Sequence, residues 1–161
     1  MKGRILLVDG HSMVFQWPDL AALHARNTAA ARGELVRMLT GLQDFSDWTV
    51  AVVFDGRGPK ATSDGEKGGV AVFYSKSGQS ADSVIERLAA KYSRTHEVTV
   101  ATEDHAERTT VEAFGCIAIG ADRLREEIER AGSDLREKYP ASRFARDGIE
   151  RVGAQVLPEA K

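Results

Sequence analysis

The chain has 161 residues, of which 42% are hydrophobic and 29% charged, and a formal net charge of −2. That length suits one domain with a real core, and the near-neutral charge excludes a strongly basic nucleic-acid glove while leaving room for a local basic patch. The single cysteine, Cys116, excludes an intrachain disulfide and points to a reducing compartment. The first apolar run, Ile5 to Val8, is too short for a signal-peptide core or a membrane span, so the expected location is cytoplasmic, without a membrane.

In chain order, Arg4 to Asp9 reads as a first strand and residues 10–17 as a connecting loop. Pro18 suits the first turn of a helix. Residues 19–43 carry Leu20, Leu23, Leu35, Val36, Leu39 and Leu42 at helical spacing, with a break expected near Asn27. Thr49 to Asp55 is a second strand. Residues 56–69, rich in glycine, form the one long loop, of a length that is usually functional or disordered. Val70 to Tyr74 is a third strand. Ser80 is positioned to cap a helix from Ala81 to about Ser93. Glu97 to Thr102 is a fourth strand, and Asp104 opens a helix to Phe114 with Gly115 closing it. A short strand over 116–119 and a helix from Ala121 to Ala131, stopped by Gly132, complete the pattern, with one more helical turn over Leu135 to Tyr139 before Pro140. Short runs rich in β-branched residues, separated by helices, predict a three-layer α/β domain around a mainly parallel sheet of about five strands. The expected division is a domain over 1–132 and a C-terminal extension over 133–161, partly or wholly disordered.

Four aspartates stand at or just past the ends of these runs: Asp9, Asp55, Asp82 and Asp104. Each alone reads equally well as a helix cap or a turn residue. A parallel sheet, however, gathers its strand C-termini along one edge, where ligands bind. Four carboxylates on that edge repel one another, and a divalent cation relieves the repulsion. Oxygen ligands favour Mg²⁺ or Mn²⁺, which can make a water nucleophilic and stabilise a leaving oxygen in phosphate chemistry. Glu86 shares a helix face with Asp82 and is an outer candidate. Glu107, three residues after Asp104, fits a capping box and is assigned a structural role. Arg57, Lys60, Lys67 and Lys76 lie in or beside the long loop, where they either contact a polyanion's backbone or keep a solvated loop soluble.

These residues carry a family resemblance. Residues 5–12 (Ile-Leu-Leu-Val-Asp-Gly-His-Ser), 52–55 (Val-Val-Phe-Asp), 74–88 and 98–104 resemble the YacP-like NYN-domain proteins, of the PIN-like superfamily of metal-dependent nucleases. The segments Ser80 to Leu88 and Ala101 to Asp104 are the specific ones, and the resemblance spans about residues 4–131. It implies a PIN-like fold and a Mg²⁺- or Mn²⁺-dependent endoribonuclease. The family acids fall on Asp9, Asp55, Asp82 and Asp104. Its implied substrate is single-stranded RNA, including mRNA engaged with the ribosome. Two positions depart from the family pattern. Ser12 stands where the family has Asn, a supporting position beside Asp9, and Glu103 stands where Ser is usual. A hydroxyl is shorter than an amide and does part of its work, so the competing reading is an RNA-binding or ribosome-interacting module with weakened or lost catalysis.

Other arrangements fail on spacing. Asp9, His11 and Ser12 are too close along one loop to align as a nucleophilic triad. His24, His96 and His105 lack zinc-ligand spacing. Cys116 reads as a small buried hydrophobe, and Trp17 and Trp48 as packing residues rather than base-stacking ones. A receiver-like phosphotransfer domain needs a lysine after the fifth strand, where Gly120-Ala121-Asp122 stands.

Overall fold

The computed structural model describes residues 3–56, 69–76 and 78–138, with side chains through 133. Five strands and six helices follow one another: β1 (Arg4–Asp9), α1 (Gly10–Gln16), α2 (Pro18–Arg26), α3 (Thr28–Asp44), β2 (Trp48–Phe54), β3 (Ala71–Tyr74), α4 (Ala81–Tyr92), β4 (Glu97–Ala101), α5 (His105–Ala113), β5 (Ile117–Ile119) and α6 (Ala121–Lys138). The strands form one sheet in the order β3-β2-β1-β4-β5, with every neighbouring pair parallel.

Alternation along the strands divides the core. Leu6, Val8, Val50, Val52 and Phe54 pack with Met13 and Val14 of α1, Leu20 of α2, Leu35 and Leu39 of α3 and Leu124 of α6. Leu7, Val53, Val98 and Val100 face the other way, onto Ala81, Val84, Ile85 and Ala89 of α4 and Val111 of α5. The switch of face follows from winding. The chain builds outward from β1 through β2 to β3, then returns to the other side of β1 as β4. A right-handed crossover run in the reverse direction puts its helix on the opposite face. The order therefore reverses between β1 and β4, which opens a crevice at the C-terminal ends of those two strands.

Two segments differ from the sequence expectation. Residues 10–16 are a helix rather than a loop. Gly10, His11 and Ser12 are poor helix formers, but the Asp9 carboxylate accepts hydrogen bonds from the backbone N–H of His11 and Ser12, and Met13 and Val14 are buried. Capping and burial outweigh propensity here. The last helix does not stop at Gly132 but runs to Lys138. Buried Leu124 and Ala131 hold its inner face, and the pairs Arg123–Glu127 and Arg130–Glu127, both 2.9 Å, support its outer face. One glycine costs such a helix only about 1 kcal/mol. The expected boundary at 132 thus falls within α6, and residues 139–161 lie outside the described residues, as does most of the 56–69 loop.

Gly10 is fixed by close approach. A Cβ there would lie 2.4 Å from two ring carbons of Phe54 and 3.0 Å from the Val53 carbonyl oxygen. Phe54 is itself buried in the core, so the ring cannot swing into solvent. Gly10→Ala is expected to destabilise the fold by about 1–3 kcal/mol. Urea unfolding checks this, and an unchanged midpoint would show that the contact relaxes freely.

Candidate active site

Asp9 ends β1 and is buried, at 4% exposure. One carboxylate oxygen caps α1 through His11 N at 3.1 Å. The other accepts from the Ser12 hydroxyl at 3.0 Å and from the Thr102 hydroxyl at 3.1 Å. Ser12 Oγ in turn accepts from Glu103 N at 3.0 Å, and Thr102 Oγ1 from Asp104 N at 3.1 Å. Two hydroxyls thus lock Asp9 and tie the start of α1 to the segment after β4, across the crevice where the strand order reverses. Ser12 therefore orients Asp9 directly despite being shorter than an asparagine.

Asp82 and Glu107 complete the centre. Asp9, Asp82 and Glu107 each offer a carboxylate oxygen, and the three oxygens lie within 4.8 Å of one another. Among the described residues this is the one such group of His, Cys, Asp or Glu side chains. Glu107 is 1% exposed, and both its carboxylate oxygens are buried without a hydrogen-bond partner. The Thr102 proton is already directed to Asp9. Burial pushes the Glu107 carboxyl up to about 8; the nearby Thr102 hydroxyl opposes the shift, and the charges of Asp9 and Asp82 add to it. Asp82 is pushed up to about 6, first by burial, then by the charges of Asp104 and Asp9.

The capping-box assignment of Glu107 is corrected by this geometry. In such a box the glutamate side chain reaches back to the cap residue's N–H. Here the Asp104 N–H is taken by Thr102, and Glu107 uses only its own N–H, donated to Asp104 Oδ1 at 3.0 Å. Its side chain turns inward. The three-residue spacing from Asp104 is the same for a local cap and for an inward side chain, and α4 and α5 packing on one sheet face is what brings Glu107 to Asp82.

Asp9, Asp55, Asp82 and Asp104 all line one cavity of about 420 Å³, together with His11, Ser12, Phe15, Gln16 and Glu103. Two of the other expected acids hold helix ends as well. Asp104 caps α5, and Asp55 is exposed and accepts from Ala81 N at 2.8 Å, capping α4 from the end of β2. Capping and cavity-lining are thus not alternatives. Glu103 accepts from Ala121 N at 2.6 Å, at the start of α6. Glu86 is half-buried on α4 and does not line this cavity. Lys76 is exposed, while Arg57, Lys60 and Lys67 lie outside the described residues. Trp17 and Trp48 are buried, and Trp17 Nε1 donates to the Ala121 carbonyl at 3.2 Å, so both pack as expected. Cys116 is likewise buried.

The donor set fits a hard divalent cation. It is all oxygen and carries an excess of negative charge. It also includes a buried carboxylate with neither oxygen partnered, an arrangement costly for a folded chain unless a proton or a cation resolves it. The residues that would hold the ion are Asp9, Asp82 and Glu107.

Comparisons with known proteins agree with this architecture. The sequence pattern of the YacP-like NYN domain matches residues 6–152. The uncharacterized protein YacP of Bacillus subtilis (strain 168) is 32% identical over 127 residues, which is 78% of this chain and 75% of that protein. A crystal structure of Rae1 (YacP) from Bacillus subtilis superimposes with a TM-score of 0.69 at 26% identity, covering 96% of this chain and 95% of that one. That of a tryptophan-to-leucine mutant of Rae1 gives a TM-score of 0.72 at 29% identity, covering 84% and 80%. The parallel five-stranded sheet, the acid-lined crevice at its switch point and the match over nearly the whole length place this chain in the YacP-like NYN-domain family.

Proposed function

We propose that the protein is a metal-dependent endoribonuclease that hydrolyses phosphodiesters of single-stranded RNA. The observation that carries this reading is the Asp9–Asp82–Glu107 group, in which a buried and unpartnered carboxylate faces two others at the sheet's switch point. Family membership supports a nuclease-type, RNA-related function. Mg²⁺ or Mn²⁺ is the proposed ion and the cytoplasm the proposed location; among the described residues no helix is long and apolar enough to cross a membrane.

A bound divalent cation supplies charge neutralisation at the phosphate and a more acidic water. The chain's own residues do the rest. Asp9, held by two hydroxyls, presents one orientation rather than several. Burial and mutual repulsion hold the Glu107 and Asp82 protons to higher pH than in ordinary carboxyls, and a cation competes with those protons, so occupancy rises with pH. Asp55 and Asp104 shape the cavity wall and hold α4 and α5 in place. Arg57, Lys60, Lys67 and Lys76 are the proposed contacts to the RNA backbone, and Glu86 an outer support of Asp82.

Ser12 decides between an active enzyme and a binding module. Its hydroxyl supports Asp9, which favours activity. Ser12→Ala is expected to lower metal affinity or turnover by about 10- to 100-fold, read from the Mn²⁺ dependence of cleavage. A variant that cleaves like wild type would remove Ser12 from the site. The proposal as a whole is tested with labelled single-stranded RNA, free and on programmed ribosomes, in Mn²⁺, Mg²⁺ or EDTA. Metal-dependent cleavage supports it, and a preference for the ribosome-bound message supports that substrate. Binding without cleavage in any metal would replace it with the binding-module reading.

A further inference from the structure

Phe15 is a large apolar side chain left 51% exposed on α1, one helical turn beyond His11. It is not isolated. Its ring centroid lies 4.5 Å from that of His11, tilted by 38°, and 4.7 Å from that of His24, in an edge-to-face contact at 66°. His24 Nδ1 is buried and has no hydrogen-bond partner, so ring packing rather than a polar bond sets that side chain's place. The three rings form a small aromatic shelf contributed by α1 and α2.

The shelf borders two cavities. One is the acid-lined cavity described above. The other, of about 190 Å³, is lined by Gly10, Val14, His24, Arg32 and Phe54 in addition to three residues shared by both: His11, Phe15 and Asp55. The second cavity is therefore continuous with the wall of the first. Arg32 brings positive charge to it. Its guanidinium stands 4.9 Å from the Phe54 ring centroid and donates to the Asp55 carbonyl at 2.8 Å. An aromatic shelf beside a cation, one step from a phosphodiester site, has the chemistry that nucleobases select. Every base offers a π-face, so stacking tolerates sequence while holding the strand.

Resting on the nuclease reading above, we propose that Phe15, flanked by His11 and His24, is a stacking subsite for the nucleobase adjoining the phosphodiester held at the acid cluster. With the phosphate held at the acid cluster through the cation those residues would bind, the neighbouring base turns onto the Phe15 ring over the smaller cavity. The subsite fixes the strand's register without reading its sequence. Trp17 and Trp48 are buried in packing roles and do not compete for this task.

The test is binding, by fluorescence anisotropy, of single-stranded RNA hexanucleotides carrying one abasic position moved along the strand, with Ca²⁺ in place of Mn²⁺. Wild type is expected to lose about 5- to 150-fold in affinity at one or two abasic positions. Phe15→Ala should lose the same factor on the intact oligonucleotide and show no further loss at those positions. Phe15→Trp should retain the wild-type pattern, while Phe15→Leu, which keeps apolar bulk without a π-face, should behave like Phe15→Ala. Additive losses in Phe15→Ala, an unchanged affinity, or wild-type binding indifferent to abasic positions would each overturn the subsite. Because the readout is base-dependent binding, a protein that never cleaves RNA would sink the nuclease reading while leaving this result interpretable on its own.

Discussion

Asp9→Asn and Asp82→Asn are each expected to lower metal-dependent RNA cleavage by at least about 10²–10³-fold while leaving the fold nearly intact. The size follows from what one preorganised charge in a closed site contributes to a transition state, and from the loss of an anionic ligand from a three-carboxylate group. Stability should survive because asparagine caps a helix about as well as aspartate, so the bonds from His11 N and Ser12 N to residue 9 persist. Asp55→Asn and Asp104→Asn make the informative contrast. Both residues line the cavity but neither belongs to the close group, and each accepts a backbone N–H that an asparagine also satisfies. Their losses should be smaller, within about 10- to 100-fold. Initial rates for the four variants at saturating Mn²⁺, with urea midpoints measured alongside, give the ranking. Equal losses at all four positions would remove the distinction between the close group and the cavity wall.

The second large effect is on stability. The usual values for Glu107 and Asp82 are 4.5 and 3.8, and the folded protein raises them to about 8 and about 6. The folded state thus binds these protons more tightly than the unfolded chain. Their contribution is fully present below about pH 4 and is lost as pH rises through 6 and then 8. The metal-free protein should lose on the order of 5 kcal/mol from this source between pH 5 and pH 9, the close pair titrating together. Mn²⁺ at pH 8 should restore much of it, raising Tm by several degrees, on the order of 2–4 °C per kcal/mol at this size. At pH 5 the same ion should do little, because the protons already occupy the cluster. Glu107→Gln cannot ionise and should flatten the pH profile and abolish most of the Mn²⁺ response. Thermal scans across pH with and without Mn²⁺ decide this. A wild-type profile that rises toward pH 9 would contradict the burial of a strained carboxylate at this point.

The strands were legible because each is a short β-branched run ending in a turn signal, and the caps at Ser80 and Asp104 because a cap is a local contact; at Asn27 only the break was legible, not the cap that makes it. Gly115, at φ +91°, closes α5 where the pattern placed it. What local chemistry could not reveal depended on distant packing. The α1 helix opens with three residues that disfavour helix, Gly10, His11 and Ser12, and is held by Asp9 and by Met13 and Val14 in the core. Glu107 looked like half of a capping box, since three-residue spacing from Asp104 is the same whether the side chain turns back or inward. Only the placement of α5 beside α4 distinguishes the two. The four aspartates came together on one cavity as the parallel order implied, yet the tightest group pairs two of them with the glutamate. Phe15 carried no sequence signal separating a core residue from an exposed one, because the helix that displays it was itself not foreseen.

The metal site is tested most directly by an anomalous difference map from crystals soaked in Mn²⁺ at pH 8, where the cluster's protons are readily displaced. A peak bounded by carboxylate oxygens of Asp9, Asp82 and Glu107, lost in Glu107→Gln crystals, is the expected result. A peak held elsewhere on the molecule, or no peak among these three residues at saturating Mn²⁺, would contradict it.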